Sequence, residues 1–181
     1  WFKSGCSRKS EAVAFTSVAM AAGVLFSAGV VHAIPYDGEN TTPSPTPAFN
    51  VFTGVPQGVG NEGDFFRSRV PVSDPDIITP YVDPLSATCV AGQKIQMRVY
   101  VHNGTSVSTN ENGTGSGVAH GTKVKVTLPT NAAASFTPSA TISATNVPTV
   151  NDNATINCNG KTVKLKYVAG SASQYSISTG P

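Results

Sequence analysis

The chain of 181 residues is long enough for one domain, and its 22 Val against only 4 Leu argue against a helical protein. Ser, Thr, Asn, Gly and Pro supply 81 residues while Glu supplies four, so β-branched and turn-forming types dominate and the composition predicts an all-β protein with many loops. Charged residues are 12% of the chain, about half the usual share, which excludes a charged disordered tail and a basic nucleic-acid binder.

Lys3, Arg8 and Lys9 precede an uncharged run from Ala12 to Val31 that closes on Val31-His32-Ala33. Basic start, apolar middle and small-residue end are the pattern of an export signal, cut before Ile34. A retained membrane anchor is the competing reading, because about 20 apolar residues span a bilayer. Thr16, Ser17 and Ser27 dilute the run, and its ending favours cleavage. Cys6 precedes the apolar run, so it is no lipidation site and leaves with the signal. Without residues 1–33 the chain holds nine basic and nine acidic residues, so the positive balance belongs to the targeting segment. The chain opens on Trp1 and stops at Ser178-Thr179-Gly180-Pro181 after an alternating segment, which reads as a piece of a longer frame.

Residues 34–50 read as a linker, since Asn40 to Ala48 (NTTPSPTPA) alternates Pro with Ser and Thr and favours an extended, solvated stalk. Residues 51–84, with Pro56, Pro71, Pro75, Pro80 and Pro84 among short apolar clusters, predict an irregular segment with a few short strands. From residue 85 onward a β-sandwich is expected. Gln93 to His102 alternates Ile95, Met97, Val99 and Val101 with Lys94, Gln96, Arg98 and Tyr100, a half-buried strand. Asn103 to Gly121, with five Gly and three Asn, predicts a long loop. Thr122 to Leu128 alternates again, with Val124, Val126 and Leu128 inward and Lys123, Lys125 and Thr127 outward. Ala140 to Thr145, Thr155 to Cys158 and Thr162 to Val168 complete the expected strands. Short strands at regular spacing, without amphipathic helices, describe a sandwich and not a parallel α/β sheet.

Tyr100-Val-His-Asn103-Gly, a Gly-rich loop, Gly121-Thr-Lys-Val-Lys-Val-Thr-Leu-Pro129 and Leu165-Lys-Tyr-Val-Ala-Gly-Ser171 together resemble the conserved-repeat domain of bacterial surface proteins. That family is an immunoglobulin-like antiparallel β-sandwich, and the resemblance spans about residues 89 to 178. Thr127 stands where the family pattern has an acidic residue, and a long insertion separates the last two motifs. The resemblance implies an exported structural or adhesive module with no catalytic residues to carry over.

The constellations that suggest chemistry have plainer readings. Gly58-Val-Gly60-Asn-Glu-Gly63 fits a dinucleotide fingerprint in spacing only, since no helix opens at its last glycine. Gly113 to Gly117 lacks the Lys-Ser/Thr step of a phosphate cradle. No G-x-S-x-G is present. His102 and His120 flank the long loop, but two histidines without a carboxylate pair or cysteine make a weak metal site. Asp74, Asp76, Asp83 and Asn151 to Asn153 lack calcium-loop spacing and read as turn residues. No cofactor, metal or nucleic acid is therefore expected, and a membrane only through an uncleaved signal.

Cys89 and Cys158 are the cysteines left after processing, and Cys158 is in phase with Ile156, so a disulfide between them is expected in an oxidising compartment. Pairing with a cysteine beyond Pro181 is the alternative. Lys123, Lys125, Lys161, Lys164 and Lys166 read first as outward lysines that keep sheet edges soluble. The candidate binding surface is Asn103, Asn112, His120, Lys123, Lys125, Lys164 and Lys166, fit for a wall polymer, glycan or surface protein. The function expected is a secreted or surface-displayed structural or adhesive module, not an enzyme; the alternative is a carbohydrate-binding accessory module of a larger secreted enzyme.

Overall fold

The computed structural model describes residues 42–53, 60–73, 79–110 and 113–175. The expected export signal lies outside these residues. Eight strands form: β1 Phe66–Arg69, β2 Leu85–Ser86, β3 Gln96–Val99, β4 Lys123–Thr127, β5 Ser135–Phe136, β6 Ser139–Ala144, β7 Val147–Asn153 and β8 Ile156–Asn157. Among the described residues the helical content is one 3-10 turn, Val107–Thr109, so the protein is all-β. β1 and β3 make an antiparallel ribbon, β4-β6-β7 an antiparallel sheet, and β2-β8-β5 a mixed sheet in which β2 runs parallel to β8.

Two apolar clusters hold these layers together. The ribbon contributes Phe66 and the adjoining Phe65 to the first, where they meet Ala140 and Ile142 of β6, Val147 and Val150 of β7, and Phe49. The second gathers Leu85, Ala87, Phe136 and Ile156 around Cys89 and Cys158. Met97 of β3 packs against both, so this strand couples the two cores.

β6 appears where alternation placed it, with Ala140 and Ile142 fully buried. β7 escaped the sequence reading because its buried residues, Val147 and Val150, stand three apart. A register irregularity between Ile142 and Ala144 absorbs the odd step and turns both side chains inward. Pro148 is tolerated because β7 is a sheet edge. Asn151 to Asn153, expected as turn residues, belong to this strand.

The expected strand from Thr162 to Val168 is not formed. Val163 makes a single bridge to Ala133, Leu165 rests against the second cluster, and Tyr167 and Val168 are exposed. Both edges of β8 are already taken, by β2 and β5, and Ala133 meets Val163 just ahead of the two-residue β5. The ladder therefore stops where its partner does. β3 is likewise shorter than expected, four residues against four in β1.

Residues 44–50, expected as part of a solvated stalk, are docked. Ser44 N–H donates to Gly104 O at 2.7 Å, Gly104 N–H donates to Ala48 O at 2.9 Å, and Asn50 N–H donates to His102 O at 2.9 Å. Phe49 is the apolar anchor, 3% exposed in the first core. Gly104 makes the close approach possible, because a Cβ there would fall 2.3 Å from Val51 Cγ2. Residues 60–73 join the same core through Phe65 and Phe66.

The disulfide joins Cys89 to Cys158 across 69 residues of sequence. After it, Asn159 and Gly160 both adopt positive φ, 50° and 80°, and Lys161 N–H donates to Cys158 O at 3.0 Å. This tight Asn-Gly reversal turns the chain toward Val163. In the chain-entropy picture, cross-linking a loop of this length stabilises by roughly 4 kcal/mol. C89S/C158S is expected to lower the urea midpoint and to raise the m-value, because the denatured chain without the cross-link exposes more surface; an unchanged midpoint would refute the cross-link.

Asp152 ties β7 to the ribbon, its Oδ2 accepting from Phe66 N–H at 2.8 Å. Burial raises its pKa above the ordinary carboxylate value, partly offset by the Phe66 and Asn153 N–H donors. A raised carboxyl pKa adds stability below the unfolded value that is lost as pH rises through the folded one. D152N keeps an acceptor and removes the titration, so the stability of wild type relative to D152N should fall in urea melts as pH rises from below the ordinary carboxylate range through the raised Asp152 pKa. D152A should cost about 1–3 kcal/mol by stranding the Phe66 N–H.

Candidate functional site

The β1–β3 ribbon buries one face and turns the other outward. Phe66, Ser68, Met97 and Val99 face inward, while Arg67 and Arg69 of β1 share the other face with Gln96 and Arg98 of β3. Register sets Arg69 opposite Gln96 and Arg67 opposite Arg98. Arg69 Nε–H donates to Gln96 Oε1 at 2.8 Å, and its Nη1 donates to Thr79 O at 3.0 Å. Asp64 Oδ2 accepts from both Nε and Nη2 of Arg67, at 3.0 and 2.7 Å.

On its other edge β1 meets Val82 through paired bonds to Ser68. That pairing places Tyr81 beside Arg69 on the polar face. The Arg69 and Arg98 guanidinium carbons lie 4.5 and 4.8 Å from the centre of the Tyr81 ring, within cation–π range. Burial, and next the charge of Arg67, hold the Arg98 guanidinium below its ordinary pKa. Arg98 Nε is buried and, among the described residues, has no acceptor.

At the far end of the same face stands a second polar group. Glu62 is 1% exposed, and its Oε2 accepts from Phe52 N–H at 3.0 Å. Its Oε1 accepts from the Tyr100 hydroxyl at 3.3 Å and lies 2.8 Å from His102 Nδ1. Asn50 is also buried, donating to Tyr100 O at 3.0 Å and accepting from His102 N–H at 2.8 Å. The ring of His102 leans on Phe52, with centroids 5.1 Å apart. Glu62 thus holds residues 50–53 and the end of β3 together while fixing the imidazole, the arrangement by which a carboxylate orients a histidine. Burial, then the Glu62 charge and its hydrogen bond, push the Tyr100 phenol up to about 12.

The sequence-derived candidates separate into three places. Asn103 is an internal brace: its side chain donates to Gly117 O at 2.7 Å and accepts from Ala48 N–H at 3.3 Å. Asn112 lies outside the described residues. His120 is exposed at the loop end, where its N–H donates to Asn146 Oδ1. Lys123 and Lys125 are exposed on β4, an edge strand, as the solubility reading expects. Lys164 and Lys166 are exposed on the segment after the disulfide. A shallow groove of about 320 Å³ runs there between Ala91–Gln93 and Val163–Leu165, with Lys164 its one charged wall residue. His102 and His120 gain no third ligand: the described residues contain no group of three His, Cys, Asp or Glu fit for a metal.

The long loop is better braced than its Gly and Asn content suggests. Thr105 Oγ1 and Asn103 Nδ2 converge on Gly117 O, and Gly117 N–H donates to Thr109 O at 2.8 Å. The 3-10 turn at its apex leaves Val107 81% exposed.

Sequence reasoning missed Glu62 and the arginines. Glu62 sat within a glycine pattern dismissed as a turn. The chain has four arginines, and the three after residue 33, Arg67, Arg69 and Arg98, all occupy one ribbon face. Their period-two placement was visible; that β1 would pair with β3 in this register was not. Compared with known families, with characterised proteins and with solved structures, the chain matches none.

E62Q removes the charge beside Tyr100 and keeps an acceptor. The Tyr100 pKa is then expected to fall below about 12 while staying above the ordinary phenol value, because burial is its first cause. A tyrosinate absorbance titration checks this. Since the folded phenol pKa is raised, its contribution to stability is present below about pH 10 and is lost as pH rises through about 12.

Proposed function

We propose that the protein is an exported, surface-displayed module with a structural or adhesive role, built as an immunoglobulin-like sandwich and acting through binding alone. The Cys89–Cys158 cross-link carries this reading, because such bonds persist in oxidising, extracytoplasmic spaces. The export pattern of residues 1–33 supports it from the sequence. The sandwich reading is supported by the antiparallel β4-β6-β7 sheet sharing a core with the β1–β3 ribbon.

The non-catalytic reading draws support from what Glu62 does. Its contacts with Phe52, Tyr100 and His102 join chain segments about 10 and 40 residues apart, which is the work of a structural brace. The adhesive surface is the apex of the loop around Val107, continued by His120, Lys123 and Lys125. A braced loop loses little conformational freedom on binding, which favours recognition through it.

Fractionation of the producing cell with N-terminal sequencing tests the reading. The protein is expected outside the cytoplasm, beginning at or near Ile34 and lacking free thiols under denaturing alkylation. Recovery in membranes with the apolar run intact, or with two alkylated cysteines after residue 33, would overturn it.

A further inference from the structure

The arginine face of the ribbon is poorly explained as a device for stability. Arg67 and Arg98 stand directly opposite each other across β1 and β3, where like charges oppose the pairing. Arg98 is partly desolvated, and its buried Nε finds no acceptor among the described residues, an arrangement that costs free energy. Arg69 is aimed by Gln96 and the Thr79 carbonyl, and Arg67 by Asp64, so the two flanking guanidiniums are held in place before any ligand arrives. Tyr81 completes the floor between Arg69 and Arg98.

We propose that Arg67, Arg69 and Arg98 form a binding site for a tetrahedral oxyanion of charge −2, a sulfate or phosphate group. Among the described residues the hydrogen bonds of these three guanidiniums include one carboxylate, Asp64 on Arg67, which leaves the face positive and suited to an anion. The chemistry of the donors argues the same way. A guanidinium presents a planar fork of N–H groups that matches paired oxyanion oxygens, and an oxyanion would meet the partly exposed Arg98 side chain through its terminal Nη groups. It would also screen Arg67 from Arg98 and relieve their cross-strand repulsion. The ligand is either the free ion or a sulfate or phosphate ester on a polymer. This site lies on a different element from the loop apex and the β4 lysines, and it does not depend on the export reading.

The test is a titration of ¹⁵N-labelled protein followed through the arginine Nε–H resonances. Sodium sulfate and inorganic phosphate are each added against sodium chloride of matched ionic strength, since general screening would move exposed charges alike. A saturable shift of the Arg98 Nε–H under sulfate or phosphate, absent under chloride, is expected. R98Q should weaken that binding by about ten-fold or more. R98K, which keeps the charge without the fork, should weaken it as well, whereas K164Q/K166Q should bind as wild type does.

Dextran sulfate and polyphosphate arms separate the sources: tighter binding than the free ion assigns a polymer ester, and equal or weaker binding per charged group assigns the free ion. Asp74 and Asp76 are present in the sequence nearby, so D74N/D76N is included. The proposal is overturned by a non-saturable shift, by equal shifts under chloride, by binding that survives R98Q, or by binding seen only in D74N/D76N. The last result would show that the chain's own carboxylates satisfy the arginines.

Discussion

The Cys89–Cys158 bond is the constraint around which the rest of the molecule is arranged. The second core consists of Leu85, Ala87, Phe136 and Ile156 gathered on the two half-cystines, too few large side chains to hold three short strands by burial alone. The cross-link supplies what that core lacks by tethering the approach to β3 to the end of β8. β3 in turn delivers Met97 to both cores and sets the register of β1. The outward ribbon face, with Glu62 at one end and the arginines along it, is positioned by this chain of dependence.

Polar groups do two different jobs in this fold. Asn50, Glu62 and Asn103 are spent internally, each bonding segments apart in sequence, and together they bind residues 42–53 to the segment 100–103 that follows β3. These bonds are why a Pro- and Thr-rich segment with little apolar content still docks: buried donors and acceptors are matched on both sides, and Phe49 fills the space between. The arginines differ. Arg67 and Arg69 are matched by Asp64, Gln96 and the Thr79 carbonyl, but Arg98 is left with a ring face and an unanswered donor. Two buried polar atoms of the ribbon, Ser68 Oγ on the inner face and Arg98 Nε on the outer, have no hydrogen-bond partner among the described residues.

The sequence by itself determined the all-β class, because Val and Thr in place of Leu and Glu leave no amphipathic helix to form. It determined the positions of β3, β4, β6 and β8, where alternation is strict, and it singled out Cys89 and Cys158 as partners; in β4 Val124 packs on the first core, but Val126, expected inward, is exposed. Only the tertiary structure decided which alternating segments find a strand to pair with. Thr162 to Val168 carries a good pattern and stays single past Val163, because hydrogen-bonding edges are a property of the assembled sheet. β7 carries a poor pattern and forms, because a register irregularity corrects its phase. The functional residues follow the same rule. Arg98 reads as an outward strand position and Arg67 and Arg69 carry no signal of their own; antiparallel register alone brings these residues, about 30 apart, onto one face. Local pattern fixes the face on which a side chain lies; what stands beside it is fixed by pairing between distant segments, and no local pattern encodes that.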